Sequence, residues 1–329
     1  MKRSASKKML EQLPLERRLL LADICEMYYL DGLSQREIGR KVGLTSSMIS
    51  RLISEAHHRG MVEIRVHRPR EYDTELEKAL QEKFNLDAVH VIRTREDEGF
   101  LIKYLGDAGA HVLKQNLQED QVIGVTWGTT LSAVINAFSI DHPISTRLIE
   151  LTGAMGSRSS EYEAHGIISR LANKLGAEYH FLNAPFICEN KETAQALIKD
   201  RIISQPLVMA KNADLALMGV GSLDLEKATM LKSGYMSRTI IEHLSQSGAI
   251  GNVCGLYYDI DGNPACDDFC ERIITISKKD LLTIPIRLGV AGGEDKPKPI
   301  IGAVRGRYIN ILVTDNITAQ AVLDHYDET

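Results

Sequence analysis

The chain has 329 residues, 44% of them hydrophobic, and a formal net charge of −5. At roughly 100–200 residues per domain that length points to two domains, with material for a sizeable core. The small negative charge excludes a protein that coats nucleic acid through bulk basicity.

The average hides an asymmetry. Residues 1–70 hold 14 Lys and Arg against 8 Asp and Glu, a net of +6; the rest hold 25 against 36, a net of −11. A basic end on an acidic body suggests a small nucleic-acid or membrane contact module. No run of about 18 apolar residues is present to cross a membrane, and the polar start Met1-Lys2-Arg3-Ser4 has no signal-peptide core. Five cysteines (Cys25, Cys188, Cys254, Cys266, Cys270) are odd in number and sparse, which reads as free thiols in a cytoplasm. Cys266 and Cys270 are four apart, but neither a second pair nor a nearby histidine completes a zinc site.

Residues 15–66 read as three helices and a hairpin. Leu15, Leu19, Ile24, Met27 and Leu30 form the first apolar stripe, ended by Gly32. Ser34-Gln35-Arg36-Glu37 matches a capping box and starts a second helix with Ile38 and Val42. Gly43 supplies the turn, and Thr45 caps a third helix whose inner face is Ile49, Leu52 and Ile53. Gly60 stops it, and Met61–Val66 alternates as a strand or wing. This is a helix-turn-helix pattern, with small Gly39 where the helices cross. Ser46, Ser47, Met48, Ser50 and Arg51 face outward on the third helix, where hydroxyls and a guanidinium suit base edges and phosphates. Arg36, Arg40 and Lys41 on the preceding helix would hold the DNA backbone. One such unit makes a small interface, so a dimer or higher homo-oligomer on a repeated duplex operator is expected.

We place this DNA-binding domain at residues 1–68 and a join at 69–86. In the join, Leu76, Leu80 and Phe84 mark an amphipathic helix over Thr74–Lys83. It serves either to pack on the next domain or as a linker or dimerisation helix.

Residues 87–329 alternate short apolar runs with helices. Strands are predicted at Ala88–Ile92, Gln121–Thr126, Thr146–Leu151, Ala177–Phe181, Leu215–Val220, Ala249–Leu256 and Tyr308–Val313. Helices are predicted at Phe100–Leu117, Leu131–Phe138, Glu161–Leu175, Thr193–Ile198, Ile203–Asn212 and Thr318–His325. The pattern implies an α/β, doubly wound and largely parallel sheet, whose ligands bind at the carboxyl ends of the strands. Gly124-Val125-Thr126-Trp127-Gly128-Thr129-Thr130-Leu131 reads as strand, turn and helix. Its glycine and two threonines stand at a helix N-terminus, either an anion site or a capped helix start, and it is neither a Walker A loop nor a GxGxxG fingerprint. Further glycine and hydroxyl loops run through Thr152–Ser157, Gly219–Ser222, Asn252–Gly255 into Asp259–Asn263, and Ile300–Gly306. Arg158, Lys298, Arg305 and Arg307 are candidate phosphate partners.

The order of these motifs resembles the SorC/DeoR-type family of sugar-responsive bacterial transcriptional regulators. The residues that carry it are Gly32–Gly39, Ile49-Ser50-Arg51-Leu52, Gly124–Leu131, Ala184-Pro185-Phe186, Gly219-Val220-Gly221-Ser222, Asp259-Ile260-Asp261-Gly262 and Leu312-Val313-Thr314-Asp315. The resemblance implies a winged helix-turn-helix and an effector domain of the NagB/RpiA/CoA-transferase-like fold. It implies a phosphorylated sugar or polyol effector, no cofactor, and dimers or tetramers. By motif position Gly128, Thr129 and Thr130 hold phosphate, while Gly153, Gly219, Gly221, Ser222 and Asp259 line the sugar. His165 stands where relatives often carry an amide. No lysine lies between Gln115 and Asn173 to form an imine, so binding is expected to be reversible. The alternative is a sugar-phosphate isomerase with an added head, for which Asp259, His165 and Glu161 are acid/base candidates.

Overall fold

The computed structural model describes residues 13–62, 70–94, 98–154, 164–226, 229–232, 236–266 and 268–327. The chain divides into two compact units, residues 1–69 and 70–329.

The first unit contains helices α1 (Leu15–Tyr29), α2 (Gln35–Val42) and α3 (Ser46–His58). Ser34 and Glu37 close the expected capping box on α2, and Gly43 ends it in the left-handed region at φ 74°. Thr45 accepts the Met48 N–H at the start of α3. A Cβ on Gly39 would stand 2.5 Å from the Leu44 carbonyl oxygen, so only glycine lets the turn close on α2. The core is Leu21, Ile24, Cys25, Ile38, Ile49, Leu52, Ile53 and Ala56. The stripe expected on α1 is therefore corrected. Leu15, Leu19 and Leu30 are exposed, and Leu21 and Cys25 join Ile24 inside. The residues of α1 are apolar on more than one side, and packing against α3 chooses the buried face. Arg17 and Arg59 both bind the Glu55 carboxylate, at 2.8 and 2.9 Å, which ties α1 to α3. From residue 63 on, the expected wing lies outside the described residues.

The second unit runs α4 (Thr74–Phe84), β1 (Ala88–Ile92), α5 (Glu98–Gln115), β2 (Gln121–Val125), α6 (Thr129–Ala137), β3 (Thr146–Glu150), α7 (Ala164–Leu175), β4 (Glu178–His180), α8 (Lys191–Lys199), α9 (Arg201–Lys211) and β5 (Leu215–Gly219). It continues with β6 (Gly221–Ser222), α10 (Thr229–Lys232), α11 (Arg238–Gln246), β7 (Gly251–Val253), β8 (Leu256–Tyr258), a 3₁₀ turn (Cys270–Arg272), α12 (Lys278–Leu281), β9 (Ile286–Val290), α13 (Pro297–Arg305), β10 (Ile311–Asp315) and α14 (Asn316–Asp327). Seven strands form a sheet in the order β1-β10-β9-β5-β2-β3-β4, every pair parallel. Strand residues alternate between two cores. Ile123, Val125 and Leu148 face the helices α5, α6 and α7, and Val122, Ile149 and Leu151 face the core that holds residues of α4, α9, α13 and α14. This is the doubly wound arrangement expected from the sequence. Leu80 of α4 is fully buried in the second core, with Leu76 and Phe84 packed beside it.

Three sequence expectations are corrected. Ala249–Leu256 is not one strand but the start of the β7–β8 hairpin, because Cys254 and Gly255 both take positive φ and turn the chain. Ile300–Gly306 is not a loop but most of α13, which Pro297 opens at its first position. Cys266 and Cys270 are not free thiols; their Cα atoms stand 5.8 Å apart and a disulfide joins them. Cys25, Cys188 and Cys254 are free and buried. None of the described helices is long and apolar enough to cross a membrane.

Candidate functional site

The first unit presents a polar face. Arg36, Arg40 and Lys41 on α2 and Ser46, Ser47, Met48, Ser50 and Arg51 on α3 are all exposed, Met48 at 47%. The inward positions of α3 are spent on the core, so the first turn of a well-capped helix is left with hydroxyls, one thioether and one guanidinium. Among the arginines here, Arg17 and Arg59 are engaged with Glu55, whereas Arg36, Arg40 and Arg51 stand outward. The burial of Ile38 and Gly39 beneath the turn fixes how α3 projects.

The second unit places its loops by topology. From β2 the chain steps outward through β3 and β4, then returns to the other side of β2 for β5, β9 and β10. The order reverses between β2 and β5, and the crevice at such a reversal is where open α/β sheets bind ligands. β2 leads into Gly128 and the first turn of α6, with Thr129 and Thr130; the neighbouring β5 ends at Gly219 and leads into β6, with Gly221 and Ser222. Gly128 is the N-cap of α6 at φ 140°, and no side chain caps that end. The first-turn N–H groups and the positive end of the helix dipole thus lack the partner that caps most helices here. A Cβ on Gly128 or on Gly219 would meet nothing within 4 Å, so both loops border open space.

The other expected residues divide. Gly153 follows β3 but packs tightly, since a Cβ there would stand 2.6 Å from the Pro185 carbonyl oxygen. Gly221 likewise lies against the side chain of Asn252. Ser222 and Lys298 line one cavity of about 390 Å³ with Glu294, Asp295, Ser245 and His325, beside the β5 and β9 loops. Asp259 is engaged in its own turn, where its Oδ1 accepts N–H groups from Asp261 and Asn263 at 3.0 and 2.8 Å. Arg305 donates to the Ile260 carbonyl and pairs with Asp261 at 3.4 Å. Arg305 ends α13 and Lys298 is its second residue, a separation of about 10 Å along the axis, so the structure does not bring Asp259 and Arg305 to the Lys298 end. Arg307 and Asp87 flank Arg287 elsewhere, and Arg158, Glu161 and Met155–Ser157 lie outside the described residues.

Two further groups come into view only in the folded chain. Lys296, mostly buried at the N-cap of α13, pairs with Asp295 at 3.0 Å. Glu150, the last residue of β3, is fully buried. Its Oε2 accepts the Leu182 N–H at 2.9 Å and stands 3.6 Å from His165 Nε2. Desolvation pushes its carboxyl up to about 8, and the Leu182 bond only partly offsets this. Burial therefore favours the neutral carboxyl of Glu150. In the unfolded chain it ionises near 4.5, so between pH 4.5 and about 8 the folded state holds a proton that the unfolded state has lost. Stability must then fall as pH rises through this window, by on the order of a few kcal/mol at most. We expect thermal melts of Glu150→Gln to show a flatter profile from pH 5 to 8; an unchanged profile would show that Glu150 ionises normally.

A helix-turn-helix unit joined to a parallel sheet with an open, uncapped helix end at its reversal point defines a two-part protein, one part for duplex DNA and one for a small ligand. Residues 68–324 match the Sugar-bind family of sugar-binding domains. The deoxyribonucleoside regulator of Bacillus subtilis (strain 168) is 28% identical, over 94% of this chain and 98% of its own. The transcriptional regulator LsrR of Escherichia coli O9:H4 (strain HS) is 32% identical, over 92% of this chain and 94% of its own. The crystal structure of the full-length sorbitol operon regulator SorC of Klebsiella pneumoniae superposes with a TM-score of 0.71 at 26% identity, covering 94% of this chain and 99% of that one. The chain belongs to the SorC/DeoR-type family of sugar-responsive transcriptional regulators.

Proposed function

We propose that the protein is a sequence-specific DNA-binding regulator of a carbohydrate or polyol catabolic operon, acting in the cytoplasm as a homo-oligomer, a dimer or tetramer. Its effector is a phosphorylated sugar or polyol. The phosphate rests on Gly128, Thr129 and Thr130, with Gly219, Gly221 and Ser222 across the crevice, and Lys298 approaches from the β9 side. The observation that carries this reading is the uncapped N-terminus of α6 facing open space at the reversal of the sheet. Arg36, Arg40, Lys41, Ser46, Ser47, Met48, Ser50 and Arg51 form the DNA face. The effector acts by binding one arrangement of the oligomer better than another, since only differential affinity shifts such an equilibrium.

The isomerase alternative needs an acid and a base within reach of one carbon. Asp259 is occupied by its own turn, which favours the regulator.

The test is a thermal-shift screen of the full chain against free and phosphorylated sugars and polyols. Two relatives are named for deoxyribonucleosides and for a sorbitol operon, so deoxyribose and sorbitol phosphates belong in the panel. A ligand that binds only the folded state at a hundred times its Kd stabilises by about 2.7 kcal/mol. We expect a phosphorylated compound to raise the midpoint and its free counterpart to leave it unchanged. Equal responses to both forms would remove the phosphate site.

A further inference from the structure

Three polar side-chain atoms near the carboxyl ends of β2 and β3 are buried without a partner: Trp127 Nε1, Glu150 Oε1 and Thr152 Oγ1. Folded proteins leave few such atoms, because each forfeits its bonds to water for nothing, and those that persist call for an explanation. Here the register collects them. Val125 lies opposite Glu150, and the Leu151 N–H donates to the Val125 carbonyl at 3.0 Å, so the ladder continues past the last paired residue. The Thr126 N–H likewise continues the ladder to β5, at 3.2 Å from the Leu217 oxygen. Strand side chains alternate. Val125 and Glu150 therefore share the face that carries Ile123 and Leu148. Past them, Trp127 packs both on that core and on the cluster around Phe186, and Thr152 forms an antiparallel bridge with Thr275. The three orphan atoms thus belong to residues at or just beyond the ends of two adjacent strands.

That place abuts the open loop. Trp127 immediately precedes Gly128, whose Cα borders vacant space. Glu150 lies one side chain from the surface, since His165 is 3.6 Å away and 33% exposed. The Glu150 Oε2 is taken by Leu182, which leaves Oε1 as the unused atom.

The chemistry of the three atoms is uniform. An indole N–H donates, a threonine hydroxyl donates and accepts, and a protonated carboxyl does both. The indole and the hydroxyl are neutral, and burial holds the Glu150 carboxyl toward its neutral form, so the group they suit best is a hydroxyl rather than a phosphate, carboxylate or amine. We propose that Trp127, Glu150 and Thr152 read the hydroxyl groups of the effector, selecting the polyhydroxylated carbon chain of a sugar or polyol phosphate. This rests on the phosphate site assigned to Gly128–Thr130. It adds the residues that tell one such phosphate from another. Their atoms have no partner among the described residues, so a ligand hydroxyl can complete them, and a ligand lacking it leaves them buried and unmatched.

The test is calorimetry on the full chain, with a panel of four- to six-carbon sugar and polyol phosphates and with inorganic phosphate. The best organic phosphate should bind at least tenfold more tightly than inorganic phosphate. Thr152→Val keeps the shape and removes the hydroxyl; Trp127→Phe removes the indole N–H. Each should weaken the organic phosphate about tenfold and leave inorganic phosphate unchanged. Glu150→Gln should keep most of the affinity, because an amide still bonds to a hydroxyl, whereas Glu150→Ala should lose it. Thr152→Val should also melt no lower than the parent, since its hydroxyl has no partner to lose; a merely structural hydroxyl would lower the midpoint. Unchanged organic-phosphate affinity in these variants, an equal loss for inorganic phosphate, or no preference for organic over inorganic phosphate would overturn the proposal. The phosphate site itself fails by a different sign: neither kind of phosphate binds, and Thr129→Glu changes nothing.

Discussion

Thr129→Glu abolishes the response to effector and leaves DNA affinity within about twofold of the parent. Thr129 is the first residue of α6 and follows the uncapped Gly128. A carboxylate there lies in the proposed phosphate site. Two unit negative charges about 4 Å apart repel by about 4 kcal/mol at an effective dielectric constant of about 20, close to a thousandfold in affinity. The same carboxylate suits a helix N-terminus, so the fold survives the change. Calorimetry with the best organic phosphate and a gel-shift assay on operator DNA check the two halves of the expectation. Retained effector binding in this variant would place the phosphate elsewhere.

Arg51→Ala has the converse effect. Arg51 stands outward on α3, one turn beyond Ser47, while its neighbours Ile49, Leu52 and Ile53 hold the helix to the core. Removing it leaves that core intact and costs about 1–3 kcal/mol of DNA binding, roughly ten- to a hundredfold. If Arg51 meets a phosphate, the loss is uniform across sequences and the slope of log affinity on log salt falls by about 1. If it reads a base, the loss is confined to the cognate operator. Effector affinity is unchanged in both cases. Equal damage to both activities by either Thr129→Glu or Arg51→Ala would refute separate sites.

Much of the architecture was legible wherever local chemistry and period agreed. The Ser34–Glu37 capping box, the Gly43 turn and the Thr45 cap are short-range devices, and the structure carries each. The strand over Ala88–Ile92 was readable as a bounded apolar run. β9 and α13 were not. Arg287 and Gly289 interrupt the β9 run, and Pro297 and Pro299 look like breakers although proline is tolerated in the first helical turn. The buried face of α1 depends on which partner it meets, so its sequence alone does not fix it.

The candidate site was legible in its backbone and not in its side chains. Gly128–Thr130 and Gly219–Ser222 advertise loops by composition, and the strand order then sets them side by side. Glu150 looked like any polar residue closing a strand, because its burial and the idle Oε1 arise only from packing against Leu182 and His165. Trp127 and Thr152 lie in loops that composition marks, but the burial of their idle polar atoms is visible only in the fold. Asp259 and Arg305 looked like ligand groups by type, and the structure engages them with local backbone and with each other's turn.

The proposed regulation requires coupling between a DNA face and an effector crevice in one chain. It is tested most directly by footprinting the full chain on an operator selected from random duplex DNA, at fixed salt, with and without each member of the sugar and polyol phosphate panel. We expect at least one phosphorylated compound to change the apparent affinity or the extent of the footprint tenfold or more, while its free counterpart has no effect. A footprint indifferent to the whole panel would contradict the account.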